Sequence, residues 1–409
     1  MGHSRRGRIL VLHNRDFAAV DDPEFASRAD VENAARDVTR ALVSRGYAAE
    51  MLPVPADPLA GPALVGDIAR QAPSLVFNLC ESLAGDARHE VVFPSLFELA
   101  GVRYTGSGPL ALGTALRKDR TKAILRACGV PTPAAAVSLD GSVPAELPPF
   151  PLIVKPARED ASTGIWLRSV VANAAELRAR VAEVWARYRQ PSLIEQFVAG
   201  RELYVSLLGN GATLSALPMH EVDFRDMPAG APHIVTYDGK WDPSSEEYKG
   251  TRSVRATVTP ALGASCAAAA RAAFVALELR DYARVDLRVA GDGTPYVIDV
   301  NPNCDLSEGA GVCRAASFGG LDYPDLIERV VAAATARYVS SEKESMHGLR
   351  EPRATKRRAR RTAADDADAA DAPPPAPRPR GAAPAPDEGR PVHARGAVGR
   401  ARASRRRAR

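Results

Sequence analysis

The sequence predicts an α/β protein whose amino-terminal part is a parallel sheet covered by helices on both faces. Strand-like apolar runs alternate with helical patterns over the first hundred residues, the order that produces such a sheet. Of the 409 residues, 45% are apolar and 25% are charged, which is ordinary for a globular protein. A chain of this length forms two or three domains, so a disulfide-stapled mini-protein and a fibrous repeat are excluded.

The elements of the first hundred residues follow in chain order. The apolar run Ile9–Leu12 predicts a first buried strand, and a second is expected over residues 75–80. Helical patterns cover residues 30–45 and 91–100. Functional groups in such sheets gather at the carboxyl ends of strands, which makes candidates of Asn78, Cys80 and Glu81.

The middle of the chain carries clear helix boundary signals. A helix is predicted over about 115–128, because Gly129 and then two prolines follow it. Lys118 and Lys122 share one face of that helix, a spacing equally typical of a solvated edge. A buried strand ends at Lys155 and leads into a loop of small and polar residues.

A further helix is expected over residues 173–189. Asn173 and Glu176 resemble a capping box at its start. Its apolar stripe is assigned to the core and consists of Leu177, Val181, Val184, Trp185 and Tyr188.

Two alternating runs around Gly291–Gly293 predict a β-hairpin. Pairing apolar residues with each other places Val285 opposite Val300, Leu287 opposite Ile298 and Val289 opposite Tyr296. Because side chains alternate between faces, the same register brings polar residues together on the other face. There, Arg284 faces Asn301 and Asp286 faces Asp299.

The polar face of this hairpin is a candidate metal site. Two carboxylates and an amide oxygen suit Mg²⁺, with Mn²⁺ as an alternative ion. Arg284 beside them suits a phosphate or a developing anion. The alternative is an exposed, salt-bridged hairpin face, a common arrangement. Against it, Asp286 facing Asp299 is repulsive unless a cation lies between them.

A second polar cluster lies around two strands near residue 200. Glu195 ends one strand and Glu202 begins the next, with Phe197 and Val198 between them. Such carboxylates can bind an adenine amino group and ribose hydroxyls between apolar walls. Acidic residues at strand ends are commonplace, so the cluster alone is a weak signal.

The cysteines and the hydropathy pattern bear on the compartment. The five cysteines are scattered without a CxxC pair, which excludes a zinc ribbon and indicates a reduced, cytoplasmic setting. No apolar run approaches the roughly eighteen residues of a membrane span, so no membrane role is expected. The few histidines are unclustered, and His13, His89 and His220 are expected to make local hydrogen bonds.

The carboxyl-terminal segment is predicted to be a disordered basic tail over residues 341–409. Residues 351–409 hold 16 Lys and Arg against 7 Asp and Glu, a balance of +9 that leaves −4 for residues 1–350. They contain no aromatic residue and no Leu, Ile or Met, so they cannot bury a core. The basic runs suggest nucleic acid only weakly, because no aromatic residue is present to stack on bases.

Several motifs in one order resemble the ATP-grasp ligases and, within them, the D-alanine–D-alanine ligase family. The resemblance covers roughly residues 75–338. Besides the hairpin, it rests on Tyr104–Gly108, Lys118–Lys122 with Gly129–Pro133, Ile153–Glu159 and Ile194–Glu202. It implies an ATP-grasp fold, with an N-terminal α/β domain (1–115) and two α+β subdomains (116–205 and 206–340) that hold the nucleotide between them.

The resemblance also implies the nucleotide contacts. Lys118 and Lys155 would contact the phosphates and adenine of ATP, and Ser162 would lie in the loop over the phosphates. Adenine would be held by Glu195 and by the backbone of Gln196, Phe197 and Val198. Glu202 would bind the ribose.

The remaining roles implied by the resemblance concern the reaction. The magnesium ligands would be Asp286, Asp299 and Asn301, and Arg284 would stabilise the anion. Lys240 would be the lysine of a closing loop, Thr236–Trp241, within a lid over residues 228–250. The expected activity is ATP-dependent joining of a small carboxylate to a small amine through an acyl phosphate. A homodimer is expected by resemblance only.

The sequence departs from the family pattern on the amino-acid side of the site. Leu79 and Cys80 stand where His-Gly is frequent, Ala161 where a serine is usual, and Trp241 where the lid normally has a tyrosine. Pro302–Gly311 also differs from the usual Ser-Pro-Gly-Met type of run. These differences leave open which carboxylate and amine are joined, two D-alanines included.

Two other functions remain open from the sequence. One is an ATP-binding regulatory protein without ligase turnover, against which the retained carboxylates argue. The other is a nucleic-acid-binding protein that acts through its basic tail, whose affinity would fall steeply with salt. Neither a P-loop nor a Rossmann dinucleotide fingerprint occurs in the sequence.

Overall fold

The computed structural model describes residues 6–15, 25–57 and 59–350. Its first sheet holds β1 (Arg6–Asn14), β2 (Tyr47–Val54) and β3 (Leu75–Asn78), all parallel, in the order β2-β1-β3. The helices of this part are α1 (Phe25–Ser44), α2 (Ala60–Gln71) and α3 (Val92–Ala100). The predicted parallel sheet is confirmed, although β2 and α2 were not predicted.

The central strand of the first sheet is buried on both faces. Ile9 and Val11 pack into one apolar cluster, and Leu10 and Leu12 pack into another on the opposite side. This is why the strand is a continuous apolar run without alternation.

The helix predicted over about 115–128 is confirmed as α5 (Lys118–Ala127), and a short helix that was not predicted, α4 (Pro109–Ala115), precedes it. Arg117 precedes α5 with φ −97° and ψ 86°, outside helical geometry, so α5 begins at Lys118, slightly after the predicted start. Gly129 ends α5 with φ +71°, as the stop signal predicted. The break places Lys118 at the first position of α5.

The second sheet is antiparallel and has the order β4-β7-β5-β6. Its strands are β4 (Ala135–Ser138), β5 (Leu152–Pro156), β6 (Val170–Val171) and β7 (Ser192–Gln196), and α6 (Ala174–Tyr188) packs against it. The Asn173 side chain accepts hydrogen bonds from the backbone of Ala175 and Glu176 and so caps α6 as predicted. Leu177, Val181 and Val184 are core residues, whereas Trp185 and Tyr188 are only half-buried.

The third sheet has the order β11-β10-β8-β12-β13, with β9 paired to β8. Its strands are β8 (Arg201–Leu208), β9 (Ser215–Ala216), β10 (His220–Asp223), β11 (Arg252–Arg255), β12 (Tyr282–Val289) and β13 (Pro295–Asn301). The short helices α7 (Tyr237–Trp241) and α8 (Glu246–Gly250) lie between β10 and β11 in the chain, and α9 (Pro260–Ala276) covers the apolar face.

The hairpin of β12 and β13 has the predicted register only in its first half. Arg284 pairs with Asn301, Val285 with Val300 and Asp286 with Asp299. A bulge after Asp286 then shifts the ladder by one residue, so Leu287 faces Val297 rather than Ile298, and Val289 faces Pro295 rather than Tyr296. The extra residue is Ile298, whose side chain joins the polar residues in lining a cavity.

The last helices return to the first sheet. Val312 of α10 (Gly311–Phe318) and Leu326, Ile327 and Val330 of α11 (Tyr323–Arg350) share an apolar cluster with β1. Helix α11 runs through Arg350, past the predicted start of the tail at residue 341. The rest of the predicted tail lies outside the described residues. No helix in the described ranges is both long and apolar enough to cross a membrane.

Candidate active site

One cavity of about 1290 Å³ gathers the residues that the sequence selected for nucleotide, metal and anion, together with Glu81, whereas the other two strand-end candidates, Asn78 and Cys80, are not in its wall. Its wall includes Lys118, Lys155, Ser162, Glu195, Gln196, Phe197, Val198, Glu202, Lys240, Arg284, Asp286, Asp299 and Asn301. These residues come from β5 and the loop after it, β7, the segment between β7 and β8, β8, β12, β13, the start of α5 and the segment between β10 and β11. Residues as far apart in the chain as 118 and 301 therefore share one solvent-filled space.

Lys118 links the start of α5 to the polar face of the hairpin. Its Nζ lies 2.9 and 3.0 Å from the two carboxylate oxygens of Asp299 and 3.1 Å from Oδ1 of Asp160. Burial disfavours the ammonium, but the two carboxylates outweigh it and raise the pKa of Lys118. Lys118 likewise lowers the pKa of Asp299 against the effect of burial.

Glu195 is a fully buried carboxylate between two lysines. Lys155 Nζ lies 2.8 Å from Oε2, and the Lys122 ammonium forms an ion pair with Oε1. Burial alone would raise the pKa of Glu195, but the two lysines reverse the effect and lower it. Lys122, which the spacing left undecided, is buried rather than a solvated edge, and burial lowers its pKa.

Arg284 holds Asp286 in a two-pronged ion pair. Its Nε and Nη2 donate to the two carboxylate oxygens at 2.7 and 2.9 Å, and its guanidinium lies over the Tyr204 ring at 4.9 Å. Burial and the nearby Asp299 and Glu202 nonetheless leave the pKa of Asp286 raised. Asp286 is buried, and Arg284, Asp299 and Asn301 are only partly exposed, so this salt-bridged face lines the cavity rather than an open surface.

Both oxygens of Glu202 are already engaged. Tyr204 donates to Oε1 at 2.8 Å, and Arg288 lies 2.8 Å from Oε2. Arg288 also donates to the backbone carbonyls of Gly200 and His233. The sequence did not single out Arg288, because nothing in its spacing connects it to Glu202.

At the end of β7, two backbone N–H groups that the resemblance assigns to adenine already donate hydrogen bonds within the protein. The N–H of Gln196 donates to Ala134 and that of Phe197 to Pro151, both at 2.9 Å. Those two groups hold the second sheet together. The groups of this segment that remain for binding a nucleotide are the N–H of Val198, the backbone carbonyls and the side chains.

The lid is joined to the loop after β5 by three hydrogen bonds. Trp241 Nε1 donates to the Ala161 carbonyl at 3.1 Å, Ser162 Oγ to the Val235 carbonyl at 3.1 Å, and the Tyr237 N–H to Ile165 at 2.8 Å. Two of the departures from the family pattern, Ala161 and Trp241, thus meet in one contact. It uses a main-chain oxygen and does not need a serine side chain.

Lys240 projects into the cavity beside Trp241, whose ring lies 4.8 Å from the ammonium. The surrounding wall and the nearby Arg284 lower its pKa, although the side chain is still open to solvent at the cavity mouth. His13 and His89 make the local backbone contacts expected of them. That expectation is wrong for His220, which is buried in the cavity wall with no hydrogen-bond partner for Nδ1 among the described residues.

This combination of three sheets around a cavity has close parallels among known proteins. The family model for the D-Ala-D-Ala ligase C-terminus matches residues 143–332. An uncharacterized protein of Sinorhizobium fredii, y4sG, is 34% identical over 285 residues, which cover 70% of this chain and 79% of that protein. The D-alanine–D-alanine ligase of Bordetella pertussis is 31% identical over 306 residues, 74% of this chain and 89% of that enzyme.

Solved structures agree on the fold. The D-alanine–D-alanine ligase from Bacillus anthracis, in a complex with ATP, superposes with a TM-score of 0.61 at 20% identity, covering 83% of this chain and 100% of that one. The chain therefore has the ATP-grasp fold. The chain belongs to the D-alanine–D-alanine ligase family and is an ATP-dependent, ADP-forming ligase.

Proposed function

We propose that this ligase depends on Mg²⁺ and joins a small carboxylate to a small amine through an acyl phosphate. The observation that carries the proposal is the pairing of Asp286 with Asp299 across the hairpin, inside the cavity that also contains Lys118, Lys155 and Arg284. Two facing carboxylates are costly unless cations balance them, and here Lys118 and Arg284 lie against them.

The donor set fits magnesium. Asp286, Asp299 and Asn301 offer oxygen atoms of the type that Mg²⁺ prefers, and Mn²⁺ accepts the same ligands. In the described ranges no group of three or more His, Cys, Asp or Glu side chains is arranged to hold a metal ion. Phosphate oxygens and water would therefore supply the other ligands. When bound, the ion would neutralise charge on the transferring phosphate.

The nucleotide would lie between the second and third sheets. Lys118 and Lys155 supply positive charge for the phosphates, and Phe197 and Val198 supply apolar walls for adenine. The buried Glu195 fixes Lys155 and can accept the adenine amino group. Glu202, held by Tyr204 and Arg288, still has lone pairs for ribose hydroxyls.

The proposed reaction has two steps, phosphoryl transfer followed by attack of the amine. An oxygen of the carboxylate substrate attacks the γ-phosphorus of ATP, the bond to the β-phosphate oxygen breaks, and ADP leaves with that electron pair. The amine next attacks the acyl carbon, phosphate leaves, and the nitrogen loses a proton. Arg284 and Lys240, which both line the cavity, would hold the charge that develops on oxygen in both steps.

The lid would protect the intermediate from water. Its contacts through Ser162 and Trp241 close the loop after β5 over the cavity. The altered positions 161 and 241 lie on the substrate side, so the joined molecules need not be two D-alanines.

Domain boundaries remain a proposal that the sheets support. The strands of the three sheets fall within residues 6–78, 135–196 and 201–301. These ranges agree with an N-terminal domain (1–115) and two nucleotide-holding subdomains (116–205 and 206–340).

The test measures ADP, phosphate and amide formation with ATP and Mg²⁺ against a panel of D- and L-amino acids and short peptides. We expect amide formation with at least one pair, loss of activity with EDTA, and a fall of at least about a hundredfold for Asp286→Asn, because such electrostatic groups carry several kcal/mol. Arg201→Gln, which lies outside the cavity wall, is the control. ATP binding without amide formation from any pair would refute the proposal and favour the regulatory alternative.

A further inference from the structure

The loop after β5, residues 157–165, has a costly backbone conformation where it lines the cavity. Ala161 and Ser162 are both left-handed, with φ of +54° and +63°. Residues that carry a Cβ adopt this conformation only at a cost in free energy. Because both residues belong to the cavity wall, contacts around them must hold the loop in this shape.

One side of the loop is held by the lid and the other by the body of the protein. The lid side has the three hydrogen bonds made by Trp241, Ser162 and Tyr237. These bonds would be lost whenever the lid opens to admit a substrate. At the start of the loop, the Ala157 N–H donates to the Pro191 carbonyl at 2.9 Å, a contact that does not involve the lid.

The far end of the loop is held by a buried arginine of α6. Arg180 is 2% exposed, and its Nη2 donates a hydrogen bond to the backbone carbonyl of Gly164. Gly164 has φ +71°, and a Cβ there would lie 2.5 Å from Cγ of Pro156 and 3.0 Å from Cε2 of Tyr188. The loop therefore packs against the ends of β5 and α6 at this point. Arg180 fixes it there, two residues after Ser162.

Glu183 and Trp166 hold Arg180 in place. Its Nη1 lies 2.7 Å from Oε2 of Glu183, and its guanidinium lies 5.0 Å from the centre of the Trp166 ring. Arg168 contacts the same carboxylate and the same ring. Hydrogen bonds from Arg168 and then Arg180 lower the pKa of Glu183 to about 2 against the effect of burial, so it is ionised at neutral pH. These four residues lie outside the cavity wall, so Arg180 reaches the loop from behind.

We infer that Arg180 is a positioning residue for ATP: by holding the Gly164 carbonyl from α6, it keeps the loop in its phosphate-binding shape while the lid is open. The inference rests on the proposed placement of the ATP phosphates under Ser162. Without Arg180, the loop would relax to less costly backbone conformations whenever the lid opens. ATP would then have to reorder the loop, which lowers its apparent affinity.

The experiment is hydrogen exchange of the full chain, followed by mass spectrometry, with and without ATP and Mg²⁺. Two loop amides report on the turn, because Thr163 N–H donates to the Asp160 carbonyl and Ile165 N–H to the Ser162 carbonyl, both at 2.9 Å. In ATP-free Arg180→Met they should exchange about tenfold to a hundredfold faster than in the wild type, the range for one hydrogen bond from a charged group. The amides of α6 and β5 should be unchanged. Saturating ATP should remove most of the difference, and the Kd for ATP should rise about tenfold.

Arg168→Gln is the matched control. It removes a guanidinium from the same Glu183 and the same Trp166 ring without touching the Gly164 carbonyl, so loop exchange and ATP affinity should stay at the wild-type values. Arg180→Lys keeps the charge and a donor, so it should restore part of the loop protection and of the ATP affinity. It also tests the inference if Arg180→Met does not fold.

The outcomes separate the inference from the proposed function. If ATP does not slow exchange in the wild-type loop, the phosphates do not lie under it, and both that placement and this inference fail. If ATP does slow it, but both Arg180 variants exchange and bind ATP like the wild type, the inference alone is overturned. Faster exchange spread equally through α6 and β5 would make Arg180 a core residue only and would overturn it too. Failure to form an amide from any pair would refute the proposed reaction, whereas these measurements need only ATP binding.

Discussion

The ammonium of Lys118 lies within 3.0 Å of both oxygens of Asp299, although 181 residues separate them in the chain. The pair joins the first turn of α5 to the hairpin that carries the proposed magnesium ligands. A lysine proposed for ATP phosphates and a carboxylate proposed for the metal thus neutralise each other in this structure. When nucleotide and cation bind, Lys118 would contact the ATP phosphates and Asp299 would contact the metal ion, in place of their contact with each other.

Lys118→Met should affect stability and nucleotide binding in separable ways. Loss of the lysine leaves Asp299 without its main partner and should lower the free energy of unfolding by about 1 to 3 kcal/mol, less than for a fully buried pair. Adding Asp299→Asn should recover part of that loss, whereas ATP affinity should stay low. Chemical denaturation and ATP titration check both, and a double variant as unstable as the sum of the single ones would contradict the coupling.

Glu195→Gln should be more costly. The side chain is 1% exposed, and its removal as an anion leaves Lys122 and Lys155 buried without a counter-charge. Removing one member of a buried ion pair costs about 3 to 5 kcal/mol. Lys122→Met in the Glu195→Gln background should recover stability, measured by denaturant unfolding. A further loss in the double variant would show that Lys122 has another essential contact.

The sequence predicted which residues of the hairpin face each other at the candidate site, but it did not predict the irregularity in the strands that carry them. Alternation along two short runs was sufficient to bring Asp286 opposite Asp299, because burying Val285 and Val300 forces their neighbours to the other face. The bulge after Asp286 could not be predicted, since an inserted residue leaves the apolar alternation almost unchanged.

Contacts between residues far apart in the chain were the second feature that the sequence could not predict. Arg288 meets Glu202 only because β12 lies beside β8, and the sequence gives no sign of that neighbour relation. Lys122 was ambiguous for the same reason, because its burial depends on Glu195 in another sheet. In the sequence, Trp241 and Ala161 are two separate departures from a family pattern. Only the fold shows that the Trp241 indole donates a hydrogen bond to the Ala161 carbonyl.

Arg288→Met should loosen the lid and weaken ATP binding together. Arg288 contacts Glu202 and also donates to the His233 carbonyl in the segment before α7, so it connects the nucleotide wall to the lid. We expect a rise of about tenfold in the KM for ATP and faster proteolytic cleavage within residues 228–250. Arg201→Met, which breaks a pair with Glu221 on the same sheet, is the control. A change in KM with unchanged cleavage would disprove the connection.

His220 should make stability depend on pH. Burial, together with the nearby Arg284 and Arg314, lowers the pKa of His220 from 6.5 to about 3 in the folded state. Between these values the unfolded state therefore binds more protons than the folded state. The contribution to stability is full above pH 6.5 and is lost as the pH falls toward 3, by at most about 1.4 kcal/mol per pH unit. His220→Gln should show a shallower pH dependence of unfolding free energy. Parallel curves for the two proteins would show that His220 does not titrate in this range.

Trp241→Phe should uncouple phosphate release from amide formation. The substitution keeps an aromatic ring under Lys240 but removes the hydrogen bond from Nε1 to the Ala161 carbonyl, one of the three contacts that close the lid. One such bond contributes about 0.5 to 1.5 kcal/mol, so the closed state should lose about two- to tenfold in population. Water then reaches the acyl phosphate, and the ratio of phosphate to amide should rise by a similar factor. Trp185→Phe, on α6 outside the cavity wall, should leave the ratio at one. A ratio that rises equally in both variants would place the effect in general stability and not in the lid.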